Sequence, residues 1–133
     1  MSEKMRLIMP GKPEYIKVTE IAVEAAAAQA GFDIDAVDDI KLAVGEGCKH
    51  VICHGYEKWC RCYQVDCEAQ EDRIIIVISE MDCGHQIRKT GKICMDCPRE
   101  GDLGIHVIKT LMDEVDIYMS EENKKVVKMV KKK

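Results

Sequence analysis

A chain of 133 residues and 15.1 kDa has room for one hydrophobic core, so a single domain spanning residues 1–133 is expected. Apolar residues make up 47% and charged residues 33%, which excludes the low-hydrophobicity signature of disorder, and no apolar run approaches the roughly 20 residues that span a bilayer. The net charge of −4 is uneven: KKVVKMVKKK at the end holds six lysines and no acid, leaving 14 basic against 24 acidic residues, net −10, in residues 1–123.

An acidic body argues against nonspecific nucleic-acid binding, which needs many cations to neutralise phosphates, and suits a partner with a basic surface. The lysine tail reads as the solubilised end of an edge strand. The first residues, MSEKMRLIMPGKP, carry charges and a proline where a signal peptide needs its apolar stretch, so a cytoplasmic protein is expected. Eight cysteines in that setting point to metal ligation, redox chemistry or buried thiols rather than a disulfide framework.

In chain order, KMRLIM followed by Pro10 and Gly11 predicts a strand and a turn. Pro13 suits the first position of a helix whose Ile16, Val18, Ile21, Ala22, Ala25 and Ala28 recur at helical spacing, with Gly31 as its stop. A second helix starts near Asp33 or Asp35, either of which can cap it, and runs to about His54 before Gly55. Its Val37, Ile40, Val44, Cys48, Val51 and Ile52 gather on one side, and Glu46, Lys49, His50 and Cys53 on the other.

From Trp59 to Cys67 the pattern alternates, with Trp59, Arg61, Tyr63, Val65 and Cys67 in one phase and Cys60, Cys62, Gln64, Asp66 and Glu68 in the other, which predicts a strand with one wetter face. RIIIVISE predicts a central strand buried on both faces or nearly so. Residues 81–101, with three glycines, a proline and three cysteines, break both periodicities and predict a long functional loop. A third helix follows from Leu103 to Met112, then two strands, EVDIYM and KKVVKMV, joined by SEEN. This order predicts an α/β fold: a two-layer sandwich with helices on one face of a mixed, mostly antiparallel sheet.

Three segments can share one pocket: GEGCKH in the second helix, MDCGH after the buried strand, and EGDLGIHVIK opening the third helix. Glycines at a helix start let backbone N–H groups approach an anion, and the helix dipole favours phosphate there. Asp82, just before Gly84, can accept from a base amino group.

KPEYIKVTEIAVEAAAAQAGFDIDAVDDIKLAVGE, HGY and GIHVIKTLMDEVDI resemble the anti-sigma-factor serine kinases of bacteria, which share the ATPase fold of gyrase and the sensor histidine kinases. The resemblance covers nearly the whole chain. It implies a homodimeric regulator that binds and inhibits an alternative sigma factor and phosphorylates a serine on an antagonist protein, using ATP with magnesium. Carried over by motif, Glu46 matches the catalytic base, Asp82 the adenine contact, Gly84 its following glycine, and Gly101 and Gly104 the glycines that wrap the phosphates.

Two departures weaken the implied kinase. His50 stands where the family has the asparagine that coordinates magnesium, a hard ion that prefers oxygen ligands. Asp102 stands where the second glycine motif has glycine, bringing a carboxylate toward phosphate oxygens. His85 and Gln86 alter the first glycine motif as well.

The alternative reading is an inactive regulatory module in which the former nucleotide site and its lid cysteines hold zinc or an iron–sulfur cluster, or act as a redox sensor. Cys94 and Cys97 form a Cys-x-x-Cys-Pro unit, Cys83 lies upstream in the same loop, and Cys53 shares the helix face of Glu46 and His50. Cys48 reads as core, and Cys60, Cys62 and Cys67 as strand packing. His106 reads as a packed or partly exposed histidine, and His54 as a helix-end residue.

Overall fold

The structure is a computed structural model, and it describes residues 2–52, 62–81, 103–122 and 124–133. Five strands form one sheet: β1 (Glu3–Pro10), β2 (Cys62–Ala69), β3 (Arg73–Met81), β4 (Glu114–Met119) and β5 (Lys125–Lys132). Their spatial order is β1-β2-β3-β5-β4, and all four pairings are antiparallel, so the sheet expected to be mixed carries no parallel pair among the described strands. Helices α1 (Ile16–Gln29), α2 (Ile34–Val51) and α3 (Leu103–Leu111) form the second layer, with a 3-10 turn at Pro13–Tyr15 leading into α1. The two-layer α/β architecture read from the sequence is the one observed.

The core lies between the layers, where Ile74, Ile76, Ile78, Val65, Tyr63, Val127 and Met129 meet Val23, Ala27, Ile40, Val44, Cys48, Ile105 and Ile108. RIIIVISE is therefore not buried on both faces. Ile74, Ile76, Ile78 and Glu80 are buried, whereas Arg73, Ile75, Val77 and Ser79 are half-covered, because helices lie on one side of the sheet only. Continuous β-branching hid a period of two.

α1 ends in a Schellman arrangement: Gly31 N–H donates to Ala28 O at 3.1 Å, Phe32 N–H to Ala27 O at 3.3 Å, and Gly31 has φ 96°, a conformation that glycine adopts without strain. Of the two candidate caps for α2, Asp33 is the one used, its carboxylate accepting from Ala36 N–H at 2.8 Å.

The face of α1 also differs from the expected stripe. Ile16, Thr19, Val23 and Ala27 are buried, while Val18 and Ile21 are 51% and 53% exposed and Ala25 and Ala28 are exposed too. Two apolar stripes are interleaved on this helix, so apolar periodicity alone could not choose between them.

The lysine tail is not an edge. β5 sits between β3 and β4, and three lysines of the tail serve the helices. Lys133 Nζ donates to Ala30 O at the end of α1, Lys125 Nζ to His50 O at 3.3 Å near the end of α2, and Lys131 Nζ to Leu111 O at 2.6 Å at the end of α3. Helix C-termini present unpaired carbonyls and the negative end of the dipole, so ammonium groups stabilise them there.

Candidate functional site

The second helix divides as its sequence suggested. Val37, Ile40, Val44, Cys48 and Val51 are buried, while Glu46 and His50, one helical turn apart, are half-exposed on the opposite side. Glu46 Oε1 accepts from Lys49 Nζ at 3.2 Å, with 26% and 55% of the two side chains exposed. Such an exposed pair is worth little and can open, leaving the carboxylate available as a proton acceptor.

Gly47 lies beneath this face. A Cβ there would come to 2.9 Å from Ile78 Cδ1 and 3.1 Å from Met129 Cε, so the glycine lets α2 seat directly on β3 and β5. The distance between helix and sheet sets how far Glu46 stands from the strand end that leads to Asp82.

A buried polar cluster fixes the same helix from below. Thr19 Oγ1 and Tyr63 Oη are 2.8 Å apart, and the Tyr63 hydroxyl also hydrogen-bonds Cys48. Thr19 and Tyr63 are fully buried, and Thr19 Oγ1 reaches Tyr15 O at 3.3 Å, so the hydroxyls are satisfied across α1, α2 and β2. Burial pushes the Cys48 thiol up to about 12 and the Tyr63 phenol above its ordinary range, and it pushes Cys67 up to about 11. Both thiols stay protonated near neutrality, and Cys48 and Cys67 are packing residues as expected.

On the adjacent strand, directly opposite Tyr63 in the β2–β3 ladder, Glu80 is 4% exposed and its Oε1 accepts from the backbone N–H of Lys125 at 2.7 Å. Sequence reading missed this residue. The signal was present, since Glu80 continues the inward phase of Ile74, Ile76 and Ile78.

Among the candidate nucleotide-site residues, Glu46, His50 and Gly104 are described. Gly104 lies in the first turn of α3, which packs against α2. Asp82, Gly84, Gly101, Asp102, His85 and Gln86 lie outside the described residues, as do Cys53, Cys60, Cys83, Cys94 and Cys97 and the loop that carries most of them. Cys62 is half-buried and His106 is exposed on α3. No group of three or more His, Cys, Asp and Glu among the described residues could hold a metal ion. No helix among them is long and apolar enough to cross a membrane.

A model of the histidine kinase-like ATPase domain matches residues 9–131. The chain belongs to this ATPase family. Curated relatives of this ATPase-family chain include the serine-protein kinases RsbW of Bacillus cereus (strain ATCC 10987 / NRS 248) and Bacillus thuringiensis subsp. konkukian (strain 97-27). Each is 28% identical over 127 residues, which cover 90% of this chain and 79% of the relative. Among solved structures, the RsbU and RsbW domains of Rv1364c from Mycobacterium tuberculosis share the fold, with a TM-score of 0.66 and 13% identity. That match takes in 97% of this chain and about a third (32%) of the longer one.

The family implies ATP with magnesium, and the described donors fit the two unequally. The Glu46 carboxylate and the first turn of α3 suit the substrate and phosphate ends of a nucleotide. The imidazole at position 50 does not suit magnesium, which takes hard oxygen ligands.

Proposed function

We propose that this chain is an anti-sigma regulatory factor that binds an alternative sigma factor and keeps a nucleotide site descended from an ATP-dependent protein serine kinase. The observation that carries this reading is Glu46, half-exposed on α2 one turn from His50, in an ATPase-family chain similar along nearly its whole length to serine-protein kinases RsbW. Asp82 would contact adenine, and Gly84, Gly101 and Gly104 would lie along the phosphates. Bound ATP would supply the phosphoryl group. Glu46 would accept the proton from a serine hydroxyl on the antagonist protein, and His50 makes that transfer slow.

Two features of the surface support the partner reading. Glu14, Asp33, Asp35 and Asp38 are exposed carboxylates on the helical layer and suit a basic sigma-factor surface. Val18, Ile21, Ala25 and Ala28 follow a 3-4-3 spacing along the exposed side of α1, the pattern of a helix that packs on another helix, and we assign this stripe to the homodimer contact. A cytoplasmic site of action follows from a sigma-factor partner.

Calorimetry with ADP and ATP, with and without Mg²⁺, tests the nucleotide site. Binding in about the micromolar range is expected, and no heat with either nucleotide would overturn the reading.

A further inference from the structure

We propose that Glu80 and Lys125 form a positioning pair that holds the last turn of α2, and with it Glu46 and His50, against the strand end leading to Asp82. This proposal rests on the nucleotide reading above.

Glu80 occupies the inward row of β3 after Ile74, Ile76 and Ile78, where a carboxylate is costly to bury and an apolar residue would pack without penalty. Its position explains its presence. Backbone pairing between β3 and β5 runs to Ser79 and Val126 and stops, whereas β3 stays paired with β2 through Met81. The next N–H on β5, that of Lys125, goes to Glu80 Oε1 at 2.7 Å instead of to a β3 carbonyl. An acceptor on a side chain keeps β5 at a greater separation than a ladder hydrogen bond would, so the two strands part where β3 runs out toward Asp82.

Lys125 completes the connection. Its side-chain ammonium donates to the His50 carbonyl at 3.3 Å, in the last turn of α2, where helix carbonyls lack intrahelical partners. One residue thus takes its backbone bond from the strand end and gives its side-chain bond to the helix that carries Glu46 and His50. The role assigned to Glu80 and Lys125 is exerted through the elements they join.

The test compares Lys125→Met, which keeps the stem and the backbone N–H, with Lys125→Arg, which restores a cationic donor. Hydrogen exchange at the Cys48–Ile52 amides should rise about tenfold in K125M and return toward wild type in K125R. ADP affinity should fall about tenfold in K125M and recover in K125R, while melting shifts little. Glu80→Gln, which keeps an acceptor, should behave as wild type, and Glu80→Leu as K125M. Unchanged exchange in K125M would overturn the pair whatever the chain binds, and changed exchange with ADP affinity intact would overturn its positioning role. Wild-type protein that binds neither ADP nor ATP would overturn the nucleotide reading instead, with exchange still deciding whether the pair holds α2.

Discussion

The ammonium of Lys131 donates to the carbonyl of Leu111 at 2.6 Å, so the last residue of α3 is closed by a side chain from β5, the strand that follows the β4 hairpin. The same ammonium lies 3.6 Å from Asp39 on α2, and only 17% of the lysine side chain is exposed. Lys131→Met should therefore lower stability by about 1–2 kcal/mol, or roughly 4–8 °C in melting temperature, whereas Lys128→Met, at an exposed lysine on the same strand, should leave melting nearly unchanged. Equal effects of the two substitutions in thermal melts would refute a helix-end role for Lys131.

The hydroxyl pair of Thr19 and Tyr63 makes a second, sharper prediction. Tyr63→Phe removes the hydroxyl that bonds both Thr19 and Cys48, leaves Thr19 only its longer bond to Tyr15 O, and should cost about 1–3 kcal/mol in urea denaturation. Adding Thr19→Val removes the other half of the Thr19–Tyr63 bond, so the double variant should lose less than the sum of the singles. Strict additivity would mean that the two hydroxyls do not share a bond.

Gly47→Ala would gain helix propensity of about 1 kcal/mol, yet the new methyl would press on Ile78 and Met129 inside the core. The expected balance is a net loss of stability together with weaker nucleotide binding, because α2 must lift off the sheet. An alanine variant as stable as wild type and equally tight for ADP would show that the close approach is dispensable.

Two raised thiols give the protein an alkaline limit. A thiol whose folded value exceeds its ordinary 9.0 contributes stability that is complete below 9.0 and is lost as pH rises toward the folded value, about 12 for Cys48 and about 11 for Cys67. The unfolded chain releases these protons first, so stability should fall by about 1.4 kcal/mol per pH unit for each thiol once pH passes the ordinary value. The buried Tyr63 phenol, also raised, adds to the slope above its ordinary 10.0, and Cys48→Ala should remove the Cys48 contribution. Urea midpoints measured from pH 8 upward, for both proteins, read the difference directly.

His50→Asn replaces a nitrogen donor by the amide oxygen that magnesium accepts. If the rest of the site is intact, the variant should gain magnesium-dependent affinity for ATP of about tenfold or more over the parent. An affinity that ignores magnesium in both proteins would place the defect elsewhere in the site.

Much of the architecture was legible because short-range pattern and long-range packing agreed. Asp33 before an apolar helical run, Gly31 after one, and the alternation of Tyr63, Val65 and Cys67 are local signals that the fold left standing. The resemblance carried by LMDEV and PEYIKV reached the ATPase family that the match over residues 9–131 shows. Readings failed where two local answers were equally good. α1 carries two interleaved apolar stripes, and only the neighbours of Thr19 and Val23 decide which one faces the core. Between Arg73 and Ser79 both phases of RIIIVISE are entirely β-branched, so its half-covered face was invisible.

The sequence by itself determined the element order, the glycine stop of α1, the family and the opposition of Glu46 and His50 to the core face of α2, because each depends on residues close together in the chain. Tertiary structure alone decided that the lysine tail lies inside the sheet, that Lys125, Lys131 and Lys133 close three helix ends, and that Glu80 is bound to Lys125. Those pairings join residues 20 to 103 positions apart, and whether a lysine is a solvated charge or a helix cap depends on which carbonyl the fold brings to it.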